Sequence, residues 1–278
     1  MDTVGLDWKP NKWVKTINDA TIRADLRNEA ECKKLPSNVD TIIHLAANAR
    51  VYELVEHPDR ARDNFLTTFN ILEFARTHNI RRFFFASSRE CYGNAGKKVY
   101  AENDAQFRTC ESPYTASKIG GEALVEAYKR CFGIETVIFR FSNVYGMYDD
   151  SIRVVPLFIR QARTGKPLTV YGERKYLDFT YIDDTVDGIV LAFKNFEKAK
   201  NDTYNIAYGE GTSILDLAES VKKLTGSTSD IEVKESRTGE IVQFVADISK
   251  ARKNLEYNPQ IPLKDGIKKA IEWYSSHT

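Results

Sequence analysis

In the stretch "SPYTASK", Ser112 to Lys118, a tyrosine and a lysine stand four residues apart. On a helix that spacing places Tyr114 and Lys118 on one face, within reach of a common ligand. The chemistry such a pair suits is proton transfer. A phenol must fall well below its reference pKa of about 10 to act as a base near neutral pH, and a nearby ammonium favours the phenolate through space. The spacing alone is equally that of an ordinary solvated helix face. A third group narrows the reading. "FFFASSRECYG" runs an apolar strand into two serines, and Ser88, at its carboxyl end, is placed to donate to a substrate oxygen beside the phenol. In open α/β sheets ligands bind outside the carboxyl ends of the strands. A serine there also suits a turn or helix cap.

These groups need strands and helices in alternation to hold them. "TVGLD" (3–7), "ATIRAD" (20–25), "TIIHLAA" (41–47), "RFFFASS" (82–88) and "ETVIFRFSNVYG" (135–146) read as strands. Their near-continuous apolar character predicts burial on both faces, as in a parallel sheet. Between them, helical spacing runs through about 57–79 and 113–131, with Ser112 as cap and Gly133 placed as a C-cap. The rhythm predicts a Rossmann-like, doubly wound α/β sheet over residues 1–146. After residue 146 the pattern becomes mixed α+β, a smaller lobe over 147–278 that closes on a substrate and returns some elements to the main domain. Asp183 and Asp184, before "TVDGIV", read as helix-capping acids rather than a catalytic pair.

Composition excludes several classes. Lys+Arg 40 against Asp+Glu 39 leaves a net charge of +1, with no basic stripe for nucleic acid. Hydrophobic residues at 42% and aromatics at 12% fit a soluble globule. The four cysteines lack CxxC spacing and read as free thiols, with no metal site. No apolar run approaches the ~18 residues of a membrane span, so a cytoplasmic protein without a membrane partner is expected.

At this point the chain resembles the extended short-chain dehydrogenase/reductases, specifically the nucleotide-sugar epimerases and dehydratases, and among them the UDP-sugar 4-epimerases. The resemblance runs along essentially the whole chain, through "GLD", "RADLRN", "IIHLAA", "DNFLTTFNILEFA", "FFFASSRECYG", "SPYTASK", "FRFSNVYG", "VVPLFI", "LDFTYIDDTVDGIVLA", "YNIAYGEGTSILDLA" and "VADISKARKNL". It implies NAD as cofactor, a UDP-sugar as substrate, and epimerisation at C4 of a UDP-hexose or UDP-hexuronate through a 4-keto intermediate. Ser88, Tyr114 and Lys118 become the catalytic residues: Tyr114 the base, Ser88 the hydrogen-bond donor to the 4-oxygen, Lys118 the group that binds the nicotinamide ribose and holds down the tyrosine pKa. On the cofactor side it implies Asp7 at the adenosine ribose, which favours NAD over NADP. Asp25 and Leu26 fall at the adenine, Leu45, Ala46 and Ala47 where backbone approaches the dinucleotide, and Asn64 nearby. On the substrate side it implies Glu90, Asn143, Val170, Tyr171 and Arg237, the last gripping diphosphate or ribose with a planar fork. The helices near 57–79 and 113–131 resemble the family's dimer interface, so a homodimer is implied.

The chain also departs from the pattern. The family starts with a strand, a GxxGxxG loop and a helix, a βα unit of roughly 30 residues. Here "DTVGLD" follows Met1 almost at once, and no such loop occurs. A truncated chain or a misplaced start is the expectation, with the first ~45 residues displaced because the sheet lacks its central strand and the pyrophosphate its helix N-terminus; the chain as given is then impaired or inactive. Leu177 stands where the family carries an arginine before "DF", with Arg174 or Lys175 as stand-ins. Arg89 replaces the acid of the dehydratases, which places epimerisation ahead of the alternatives, a UDP-glucuronate decarboxylase or sugar dehydratase. A non-catalytic nucleotide-sugar-binding or scaffold protein is the alternative from another class.

Overall fold

A computed structural model of the chain describes residues 2–277. Its first strands, β1 (Leu6–Asp7) and β2 (Ile22–Arg23), pair in parallel with each other. The main sheet is separate. It is parallel, in the order β3 (Thr41–His44), β4 (Arg82–Ser88), β5 (Glu135–Phe141) and β9 (Asp202–Ile206). Side chains alternate across β4: Phe84 enters one core while Phe83 and Phe85 enter the other. Both faces are covered, which is why the strand reads as an unbroken apolar run.

Helices Asp59–Thr77 and Pro113–Phe132 pack side by side against one face of this sheet. The second carries the catalytic candidates, and both its ends are set by sequence. Ser112 accepts a hydrogen bond from the Thr115 amide at 3.2 Å, Pro113 opens the first turn, and Gly133 ends it at φ 68°. Gly121 sets how closely this helix approaches β4, since a Cβ there would lie 2.5 Å from the Phe85 ring.

The long strand expected over 135–146 is broken at Ser142. Its end, β6 (Asn143–Tyr145), leaves the main sheet and pairs with β8 (Tyr176–Tyr181), which also pairs with β10 (Gly211–Ser213) and β12 (Gln243–Phe244). A further parallel pair joins β7 (Leu168–Tyr171) to β11 (Ile231–Lys234). Helix Ile182–Lys194 starts after Tyr181, so Asp183 and Asp184 lie in its first turn rather than at its cap. Asp184 instead accepts the amides of Gln260 and Ile261 at 2.7 and 3.0 Å, pinning the segment that leads to the last helix, Leu263–His277.

The N-terminal segment is uncoupled from the sheet but stays docked. Ala24, Leu26, Cys32 and Leu35 belong to the same core as Phe83 and Phe85, and the Asn70 amide donates to the Leu26 carbonyl at 2.8 Å. Trp13 meets Trp273 of the last helix edge-on, with ring centroids 4.8 Å apart. All four cysteines are free, and among the described residues no helix is long and apolar enough to cross a membrane.

Candidate active site

Ser88 is the last residue of β4, and its neighbour across the helix is Tyr114. The serine hydroxyl acts to lower the Tyr114 phenol pKa and accepts from the Glu90 amide at 3.2 Å, so it both faces the tyrosine and caps the short turn Arg89–Tyr92. Lys118 lies one turn along, its Nζ 5.9 Å from the Tyr114 ring centroid and 2.6 Å from the Ala86 carbonyl, to which it donates. Tyr114 and Lys118 are each only 6% exposed, so the helix face is a protein interior, not a wet surface.

That burial sets the starting pKa of both groups. Desolvation pushes the Tyr114 phenol up to about 12, against the lowering effect of the Ser88 hydrogen bond. The Lys118 ammonium donates to the Ala86 carbonyl beside it. The same burial pushes Lys118 down to about 8. A lysine that works as an ammonium therefore does so below pH ~8 and loses its charge above it. We expect kcat/KM to fall on an alkaline limb near pH 8, about tenfold per pH unit beyond it. A pH–rate profile that instead climbs steadily from pH 8 to 10 would contradict this assignment.

The remaining candidates fall into two groups around this centre. Leu45, Ala46 and Ala47 follow the end of β3 and are exposed, leaving small side chains and open backbone beside the helix Asp59–Thr77. Asp7 ends β1 with an exposed carboxylate whose Oδ1 accepts from the Lys9 amide at 2.7 Å. Asp25 is committed elsewhere: Arg27 chelates it, holding the carboxyl below its usual range, and also reaches Asp63 and stacks on Trp8. Leu26 is a core side chain, and its carbonyl accepts from the Asn70 amide. Asn64 is likewise spent. Its Oδ1 accepts from the Asn48 amide at 2.6 Å, and its Nδ2 donates to the Asn48 carbonyl and Ser117 Oγ, so it positions the loop and the tyrosine helix.

On the other side, Asn143 accepts from Arg89 Nη2 at 3.1 Å and donates to the Asp178 carbonyl at 2.8 Å. Val170 is fully buried in the core, which removes its side chain from any base-binding role; its neighbour Tyr171 takes the outward place. The Arg237 guanidinium stacks 3.8 Å from the centroid of the Tyr171 ring and 4.8 Å from that of Tyr52. Tyr52 was not singled out from sequence; it belongs to a helix, Val51–Glu56, too short to show periodicity. Of the two stand-ins for the missing arginine, Lys175 is buried in an ion pair with Glu240 and Arg174 is exposed.

Comparison with known families decides what this arrangement is. The sequence profile of the NAD dependent epimerase/dehydratase family matches residues 2–207. The chain belongs to this family. The uncharacterized UDP-glucose epimerase YtcB of Bacillus subtilis is 35% identical over 271 residues, spanning 96% of this chain and 82% of the relative. The UDP-glucuronate 4-epimerase of Thermodesulfobacterium geofontis is 29% identical over 271 residues, with 96% and 82% covered. Among solved structures, UDP-glucuronic acid 4-epimerase from Bacillus cereus, in complex with UDP-glucuronic acid and NAD, superposes with a TM-score of 0.87 at 30% identity, covering 93% of this chain and 82% of that one. UDP-glucose 4-epimerase from Thermotoga maritima with UDP-glucose gives a TM-score of 0.87 at 26% identity, covering 98% and 90%.

NAD is the cofactor of this epimerase/dehydratase family, and part of the site fits it: an exposed acid at the end of β1, small exposed residues after β3, and a buried Tyr–Lys pair. The one glycine before Gly93 is Gly5, so among the described residues no glycine turn lies between β1 and β3 to cradle a pyrophosphate.

Proposed function

We propose that this epimerase/dehydratase family member epimerises a UDP-hexose or UDP-hexuronate at C4. The observation that carries the reading is the buried Ser88–Tyr114–Lys118 cluster at the carboxyl end of β4. NAD, when bound, supplies a reversible hydride acceptor. Tyr114 Oη takes the proton of the C4 hydroxyl as the hydride leaves C4, and returns it to the same oxygen when the hydride comes back to the other face of that carbon. Ser88 Oγ holds the 4-oxygen through a hydrogen bond, so the oxygen stays beside the phenol as its carbon changes geometry. Lys118 adds positive charge beneath the ring, which favours phenolate as the site fills. Arg237 and Tyr171 serve the nucleotide half, the guanidinium pairing with diphosphate oxygens and the ring supporting the base.

The working unit is a homodimer. Phe65 and Phe69, one turn apart on helix Asp59–Thr77, are 42% and 41% exposed, and Leu66 beside them is 36% exposed. An apolar helix face of this kind is suited to a second copy. The reading is tested by incubating the chain with NAD and UDP-galactose, UDP-glucose or UDP-glucuronate in turn, and following the sugar by NMR. Interconversion at C4, slowed because no glycine turn between β1 and β3 cradles the pyrophosphate, is expected for at least one of them. Binding of UDP with no conversion of any sugar would overturn catalysis and leave a nucleotide-binding protein.

A further inference from the structure

Directly after Ser88 come two charged residues that the mechanism above does not use. Arg89 Nη2 lies 2.9 Å from Glu90 Oε1 in an ion pair, and the side chains are only 11% and 3% exposed. The pair meets at one end only, where a guanidinium and a carboxylate can meet at two. Its other ends, Arg89 Nη1 and Glu90 Oε2, are buried and have no hydrogen-bond partner. Buried polar atoms in folded proteins are satisfied almost without exception, and charged ones left alone carry the larger penalty. Five such side-chain atoms occur among the described residues, and only these two are on charged groups and on adjacent residues.

Their surroundings point to the sugar. Glu90 influences the Tyr114 phenol electrostatically, and Arg89 Nη2 also donates to Asn143, so the pair stands between the phenol and the diphosphate side. The Arg89 guanidinium rests against the Phe244 ring, 5.8 Å from its centroid, which fixes its plane. Of the surrounding charges, Lys175 and Glu240 neutralise each other in their own ion pair, while Glu111 acts on Glu90 and Asp178 on Arg89 from the acidic side. The wall therefore offers one spare donor and one spare acceptor with no spare positive charge. A hydroxyl is the group that satisfies both, donating to Oε2 and accepting from Nη1. A carboxylate accepts from Nη1 but faces Glu90 with like charge, and a missing substituent leaves both atoms orphaned.

We infer that the Arg89–Glu90 pair is the specificity element of the sugar site, binding the hydroxyl of the exocyclic CH2OH borne by the ring carbon next to the reacting one, and so selecting a neutral UDP-hexose over a UDP-hexuronate. The inference rests on the 4-epimerase reading and chooses between its two substrate classes. The test is calorimetry on the full chain with NAD present, titrating UDP, UDP-glucose, UDP-glucuronate and UDP-xylose. UDP-glucose should bind at least about 30-fold more tightly than UDP-glucuronate or UDP-xylose, because a site built to hydrogen-bond a hydroxyl discriminates strongly against ligands lacking it. Glu90→Gln should narrow the gap between UDP-glucose and UDP-glucuronate to within about threefold by removing the like charge, with UDP itself bound as before. UDP-glucuronate binding as tightly as UDP-glucose, or an unchanged ratio in E90Q, would overturn the inference. If UDP-glucuronate is converted at C4 while UDP-glucose is not, the pair has been misread and the 4-epimerase reading stands; if UDP does not bind at all, both fall. The wild-type ligand series decides the question even if the variant fails to fold.

Discussion

Tyr114→Phe will lower kcat by about 10²–10⁴-fold while the affinity for UDP changes by less than about twofold. The loss corresponds to roughly 2.7–5.4 kcal/mol of barrier. The substitution removes one atom, the Oη, and keeps the buried ring that packs behind Ser88. Arg237 and Tyr171, proposed above to serve the nucleotide, stack on each other and are untouched by the change. Single-turnover kinetics with calorimetry separates the two effects. A variant that turns over within about threefold of the parent would remove the phenol from the mechanism. The burial that lifts Tyr114 to about 12 sharpens the test, because the lowering must then come with the ligands. An ultraviolet titration should find the phenol falling when NAD and nucleotide are both bound; a phenol still near 12 under those conditions would mean another group is the base.

Arg140→Ala will destabilise the fold by about 3–5 kcal/mol, the range expected when one partner of a buried ion pair is removed. Arg140 on β5 meets Glu122 with two bonds, Nε–Oε1 at 2.9 Å and Nη2–Oε2 at 2.7 Å, with side chains 8% and 16% exposed. Its Nη1 also donates to the Glu102 carbonyl at 2.6 Å and to Tyr92 Oη at 3.3 Å. Removing the guanidinium strands a carboxylate that then keeps only the Ser87 hydroxyl, at 2.5 Å, among these bonds. Because Glu122 sits one turn beyond Lys118 on the same helix, the bridge also fixes how that helix lies on the sheet. Urea unfolding measures the cost. A double variant, Arg140→Met with Glu122→Met, should recover much of it, since replacing both charges leaves nothing uncompensated. A loss below about 1 kcal/mol in Arg140→Ala would mean water reaches the carboxylate.

The main sheet and the elements that carry the candidate residues Ser88, Tyr114 and Lys118 were legible in the sequence because local and global signals agree there. Ser112, Pro113 and Gly133 bound the tyrosine helix, and the apolar run before Ser88 is a strand covered on both faces. Chain topology was harder. Nothing in "FRFSNVYG" announces that the strand breaks at Ser142 and its tail joins another sheet, since both halves keep the same apolar character. Side-chain allegiance was harder still. Asn64, Asp25 and Val170 occupy family positions, yet their atoms are spent on Asn48 and Ser117, on Arg27, and on the core. Sequence reports which residue stands at a position, not which neighbour has already taken its hydrogen bonds. Tyr52 illustrates the converse, reaching Arg237 from a six-residue helix that carries no periodic signal.

The meeting of Trp13 with Trp273 gives the molecule a built-in optical gauge. The chain has three tryptophans, and two of them form this junction, where Tyr148 also touches Trp273. Intrinsic emission will thus be dominated by whether the leading segment is seated against the closing helix. Its detachment will register as a spectral change before the parallel sheet itself melts.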